Sequence, residues 1–165
     1  MNFLWAAAQT GRYANGIVLR DKLPKEPRQL RRGKIFQREV QDDWDKTAEG
    51  RINIECTIPL LKPPGSKMQH RLGRMDILVD DMGDQVAVVE IKATDWDRIL
   101  PKNITKNLGS HRRQIYKYIE KYLDGEGKSV CPGLIYPSTP ETPGLKERIE
   151  KYLNDYGIAV AWYSD

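Results

Sequence analysis

A chain of 165 residues, 39% hydrophobic and 30% charged, is long enough for one domain with a proper core and too short for two ordinary ones. Its 27 Lys and Arg against 23 Asp and Glu leave a net charge of +4, a mild basic excess compatible with a polyanionic partner. No apolar run approaches the roughly 20 residues that span a bilayer, the opening MNFLWAAAQT lacks the basic flank of a secretory signal, and Cys56 and Cys131 stand isolated; membrane, disulfide-rich and zinc-site classes are set aside, and a cytoplasmic protein is expected.

Residues 1–33 read as a basic extension in front of the core, residues 34–165. A short helix over residues 3–9 is the only element expected there, because Gly11, Gly16, Pro24 and Pro27 break any longer pattern. From Arg20 to Arg38 the chain carries Arg20, Lys22, Lys25, Arg28, Arg31, Arg32, Lys34 and Arg38 against Asp21 and Glu26. Such a run is either a phosphate-contacting arm, with Arg31 and Arg32 as contacts, or a solvated linker.

Residues 34–47 place Ile35, Phe36, Val40 and Trp44 at helical spacing, with Glu39 on the same helix. RINIECTIPL follows as a strand, and the loop LKPPGSKMQHR, marked by Pro63, Pro64 and Gly65, brings Lys67, His70 and Arg71 toward the next strand, which carries Arg74.

That strand and its successor, GRMDILVDDMGDQVAVVEIKATD over residues 73–95, read as a β-hairpin about a polar break at Asp80, Asp81, Gly83 and Asp84. Pairing symmetric about Gly83 sets Asp76 opposite Glu90, and alternation puts Lys92 on the side of Glu90. Carboxylates directly opposite in a sheet repel, so this arrangement calls for positive charge between them, and a divalent cation fits.

A long helix over about residues 104–123 follows, with Ile115, Tyr118, Ile119, Tyr122 and Leu123 as its buried stripe and a basic face of His111, Arg112, Arg113 and Lys117. Gln114 and Tyr118, four apart, lie one turn from each other. After a turn at Gly125 and Gly127, SVCPGLIYP reads as a buried strand with an irregularity at Pro132. ETPGLKERIEKYLNDYG is a helix stopped at Gly157, and IAVAWY is a strand covered on both faces.

Asp76, then Glu90-Ile91-Lys92, resembles the signature of the PD-(D/E)XK nuclease superfamily, and the later Gln114-x-x-x-Tyr118 resembles a motif of its RecB-like branch. The proline of the family name is absent, since Arg74 and Met75 precede Asp76. The resemblance covers roughly residues 34–163. It implies an α/β restriction-endonuclease-like core, a mixed central β-sheet flanked by helices in αβββαβ order with a further helix and strand. It also implies Mg²⁺, with Mn²⁺ able to substitute, held by Asp76, Glu90 and the Ile91 backbone carbonyl, and an acidic ligand from the first helix at Glu39. Lys92 would assist the attacking water, and Gln114, counted with the catalytic residues, and Tyr118, counted with the nucleic-acid contacts, would lie near the active site and help to hold the DNA. Lys67, Arg71, Arg74, Arg112 and Arg113 would contact the nucleic acid, DNA ahead of RNA. The enzyme implied is an endonuclease, as a homodimer or within a larger nucleoprotein complex. The alternative is a nucleic-acid-binding or assembly module that keeps the fold without turnover.

Overall fold

The computed structural model describes residues 27–47, 51–60, 71–80, 84–123 and 128–164. The expected helix over residues 3–9, the loop bearing Lys67 and His70, the hairpin tip at Gly83 and the turn at Gly125 and Gly127 lie outside these residues. The chain divides into a unit of residues 1–31, of which residues 27–31 are described, and a compact unit of residues 32–165.

The elements run α1 (Arg28–Thr47), β1 (Arg51–Leu60), β2 (Arg71–Asp80), β3 (Gln85–Ile91), a 3-10 turn (Trp96–Arg98), α2 (Pro101–Leu123), β4 (Ser129–Tyr136), α3 (Leu145–Asn154) and β5 (Ala159–Trp162). One five-stranded sheet holds them in the order β1-β2-β3-β4-β5. Strands joined by short connections pair antiparallel, β1 with β2 and β2 with β3. Strands joined through a helix pair parallel, β3 with β4 and β4 with β5. Residues of α2 and α3 share one core, so both crossover helices cover the same sheet face, as consecutive crossovers of one hand require. The result is an α/β protein with a mixed sheet between helices.

The central strand β3 explains its own sequence. QVAVVEI is almost wholly apolar because both of its faces are covered. Val86 and Val88 enter the core under α2 and α3, with Leu108, Ile115, Leu134 and Ile149. Val89 and Ile91 enter the core under α1, with Val40, Ile77 and Ile135. Glu90 continues the first of these series.

The hairpin register runs Ile77↔Val89, Leu78↔Val88, Val79↔Ala87 and Asp80↔Val86, which is symmetric about Gly83 as expected. One irregularity was not foreseen. Ile54 and Ile77 pair, and Ile77 is in the α1 core; Cys56 and Met75 also pair, yet both belong to the α2/α3 core. Residues two apart should share a face, so both strands switch faces together at Glu55 and Asp76. Glu55 takes up the twist with φ 54°, a conformation that costs a side-chain-bearing residue about 1–3 kcal/mol.

Three expectations need correction. Ile35 is 50% exposed, and the buried stripe of α1 is carried by Val40 with Phe36 and Trp44. Pro132 sits in an unbroken parallel ladder opposite Val88, because the ladder to β5 begins only at Gly133 and no β5 partner awaits the missing N–H. Strand β5 is covered on one face only: Val160 and Trp162 pack inward, whereas Ala159 and Ala161 are exposed. It is an edge strand, and Phe36 of α1 meets Tyr163 edge-on just past its end. Among the described residues no helix is long and apolar enough to cross a membrane.

Candidate active site

Asp76 lies where β2 changes face, and two neighbouring elements, β3 and α1, hold it. Its Oδ2 accepts from the Ile91 backbone N–H of β3 at 2.8 Å, and its Oδ1 accepts from Gln37 Nε2 of α1 at 2.7 Å. Gln41, one turn along α1, donates to the Asp76 carbonyl at 3.1 Å. Burial pushes the Asp76 carboxyl above its ordinary pKa, and the Ile91 N–H and nearby Lys92 only partly oppose this.

Glu90 is buried, with 1% of its surface exposed. Its Oε2 accepts from Lys92 Nζ at 2.7 Å and from Gln114 Nε2 at 2.8 Å. Gln114 also accepts from Lys92 Nζ at 3.0 Å and donates toward Tyr118 Oη at 3.3 Å, so its amide orientation is set from both ends. The chain Tyr118, Gln114, Glu90, Lys92 therefore links α2 to the end of the central strand. Glu90 Oε1 has no hydrogen-bond partner among the described residues. Burial raises the Glu90 pKa to about 7, against the pull of Lys92 and with a further push from the Asp76 charge. That push on Glu90 is the expected signature of a second acid nearby.

The sequence-derived residues divide clearly. Asp76, Glu90, the Ile91 main chain, Lys92, Gln114 and Tyr118 come together. Tyr118 is largely core, with 6% of its surface exposed and only its hydroxyl in the network. Arg74 is exposed, pairs with Glu55 and borders the same space. Glu39, expected as a ligand from the first helix, is exposed; the residues of α1 that reach Asp76 are Gln37 and Gln41, and Glu39 falls about 160–200° around the helix from both. Arg112 lies 3.9 Å over the Tyr156 ring and so is engaged with the end of α3 instead of being directed to the acids. Arg113 and Lys117 are exposed, as is Arg32, while Arg31 belongs to the other unit. Lys67 and the side chain of Arg71 lie outside the described residues.

His111 also departs from the basic face assigned to it. It packs edge-on to Trp96, its Nδ1 lies 2.9 Å from Tyr136 Oη, and burial lowers its pKa to about 4. A neutral imidazole cannot serve as a phosphate-binding cation at neutral pH.

Sequence reasoning missed Gln37, Gln41 and Glu55. The first two carried a usable signal, two glutamines one turn apart beside the stripe of Phe36, Val40 and Trp44. Glu55 carried none, because its role depends on a backbone twist.

A divalent cation could be held by Asp76 and Glu90, hard oxygen donors of the kind Mg²⁺ prefers, and the unpartnered buried Oε1 of Glu90 is the atom that fits it best. Among the described residues no group of three or more His, Cys, Asp or Glu side chains stands close enough to hold a metal by itself. Water or a substrate oxygen would have to complete the coordination.

Comparison with models of known protein families finds no match, and comparison with curated proteins finds none. The class defined by fold and site therefore rests on geometry: an α/β protein with a five-stranded mixed sheet and a buried acid, lysine and glutamine network at the end of its central strand.

Proposed function

We propose that this chain is a Mg²⁺-dependent nuclease with a restriction-endonuclease-like fold, hydrolysing phosphodiester bonds, DNA ahead of RNA. The observation that carries the reading is Glu90: a buried carboxylate with one oxygen on Lys92 and Gln114, the other unpartnered, facing the charge of Asp76. Burying two acids together costs stability unless function repays it.

The bound cation would polarise the phosphate and offset the charge of the leaving oxygen. Asp76 is oriented for this by the Ile91 N–H and Gln37, which occupy one lone pair on each of its oxygens and leave others available. Lys92 is held by Glu90 and Gln114 so that its remaining N–H is placed for the attacking water or a phosphate oxygen. Gln114 and Tyr118 fix the Lys92 and Glu90 rotamers.

The test is cleavage of supercoiled, linear and single-stranded DNA, and of RNA, with Mg²⁺, Mn²⁺ or EDTA. Asp76→Ala and Glu90→Ala should each abolish cleavage, and cleavage surviving either change removes that residue from the mechanism. The second reading, a nucleic-acid-binding module without turnover, is favoured by one observation: α1 offers Asp76 an amide, Gln37, and not a third acid. Calorimetric titration separates the two, since a domain that binds DNA and no divalent ion fits only the second.

A further inference from the structure

The solvent face of α2 carries Lys102, Lys106, Arg113 and Lys117, all exposed. Their spacings set them in one stripe about 60° wide and about 22 Å long. Arg113 lies back along the helix, its guanidinium 3.5 Å from where a Cβ on Gly109 would stand. Among the described residues none of the four cations has an acid within ion-pair distance. Glu120, exposed one turn beyond Lys117, is the acid of this helix, so the stripe keeps a clear positive excess.

Contacts on either side fix where the stripe runs. On one flank Thr105 accepts from Arg148 and Arg112 lies over Tyr156, so that side of α2 belongs to α3. On the other, Gln114 bonds Glu90 and Lys92, about 60° around the helix from Lys117. The stripe therefore passes beside the buried network. Two tyrosines edge it toward α3: Tyr116 and Tyr156 are exposed, and Tyr116 Oη donates to the Tyr156 carbonyl at 2.6 Å, which fixes the Tyr116 ring.

Unpaired cations one and two turns apart match a chain of regularly spaced negative charges. Exposed rings beside them match unstacked bases, which a single strand offers and a duplex keeps inside. We infer that this face of α2 binds a single-stranded segment of nucleic acid, its phosphates on Lys102, Lys106, Arg113 and Lys117 and a base on Tyr116. The course of that strand toward Asp76 and Glu90 rests on the nuclease reading; the binding surface does not.

The experiment measures fluorescence anisotropy of a labelled single-stranded oligonucleotide and of its duplex in EDTA, where no turnover intervenes, across a salt series. Lys106→Ala, Arg113→Ala and Lys117→Ala should each weaken single-strand binding about fourfold near 0.15 M salt and lower the slope of log K against log salt by about 0.7. Tyr116→Leu should weaken it at least about fivefold, leave the slope unchanged and spare the duplex. Glu120→Gln should tighten binding. The comparison variant, Lys46→Ala, removes an exposed lysine of α1 on the other side of the sheet and should bind as the parent does. Circular dichroism confirms that each variant is folded. Unchanged slopes in the three stripe variants, an equal loss with Lys46→Ala, a parent that binds duplex as tightly as single strand, or one that binds neither would each overturn the inference. If binding behaves as expected and no nucleic acid is ever cleaved, the surface stands and the nuclease reading fails. If cleavage depends on Asp76 while the stripe variants bind like the parent, the inference fails and the nuclease reading stands.

Discussion

Replacing Glu90 by Gln should make the metal-free protein more stable at pH 8 and change little at pH 4.5. In the folded protein burial holds the Glu90 pKa at about 7, against an ordinary value of 4.5. A carboxyl whose folded pKa lies above its unfolded one binds its proton more tightly when folded. The stability this gives is fully present below about pH 4.5 and is lost as pH rises through about 7. At about 1.4 kcal/mol for each pH unit, the separation corresponds to roughly 3–4 kcal/mol. Gln mimics the protonated acid, can keep an oxygen on Lys92 and Gln114, and has no charge to desolvate. His111 works in the opposite sense, because its pKa of about 4 makes stability fall as pH drops below its ordinary 6.5. The two effects offset each other between pH 4.5 and 6.5, so the parent curve alone would mislead, and the difference between parent and variant is the quantity to read. Urea unfolding in EDTA at pH 4.5, 6, 7 and 8 provides it. A difference that stays constant across this range would refute the claim that Glu90 is held protonated by burial.

Adding Mg²⁺ at pH 8 should raise the melting temperature of the parent protein and leave that of Glu90→Gln nearly unchanged, since a ligand stabilises only the state that binds it. Gln37→Glu should lower the melting temperature in EDTA, because it sets a third acid 2.7 Å from an Asp76 oxygen, and should tighten Mg²⁺ binding measured by calorimetry. Gly109→Ala should stabilise by about 0.5–1 kcal/mol in urea unfolding: it lies inside α2, and an added Cβ would meet only the Arg113 guanidinium at 3.5 Å and the Tyr152 hydroxyl at 3.6 Å. Ile149→Ala, in contrast, removes a fully buried side chain between α3 and the sheet and should cost about 2–5 kcal/mol.

The order of elements, the antiparallel hairpin symmetric about Gly83 and the convergence of Asp76, Glu90 and Lys92 could all be read from the chain, because they depend on short-range periodicity and on the alternation of side chains along a strand. The partnership of Gln114 with Tyr118 followed from helical spacing in the same way. What needed the tertiary structure were relations between elements distant in sequence. Gln37 and Asp76 are 39 residues apart, and only the seating of α1 on the sheet decides that Gln37 reaches the acid while Glu39 faces solvent. The face switch at Glu55, the burial of His111 against Trp96 and Tyr136, and the engagement of Arg112 by Tyr156 likewise arise where packed elements meet. Local pattern determines which face of an element is apolar; it does not determine which polar side chains a neighbour will then bury, because desolvation and hydrogen-bond pairing are properties of the assembled interior.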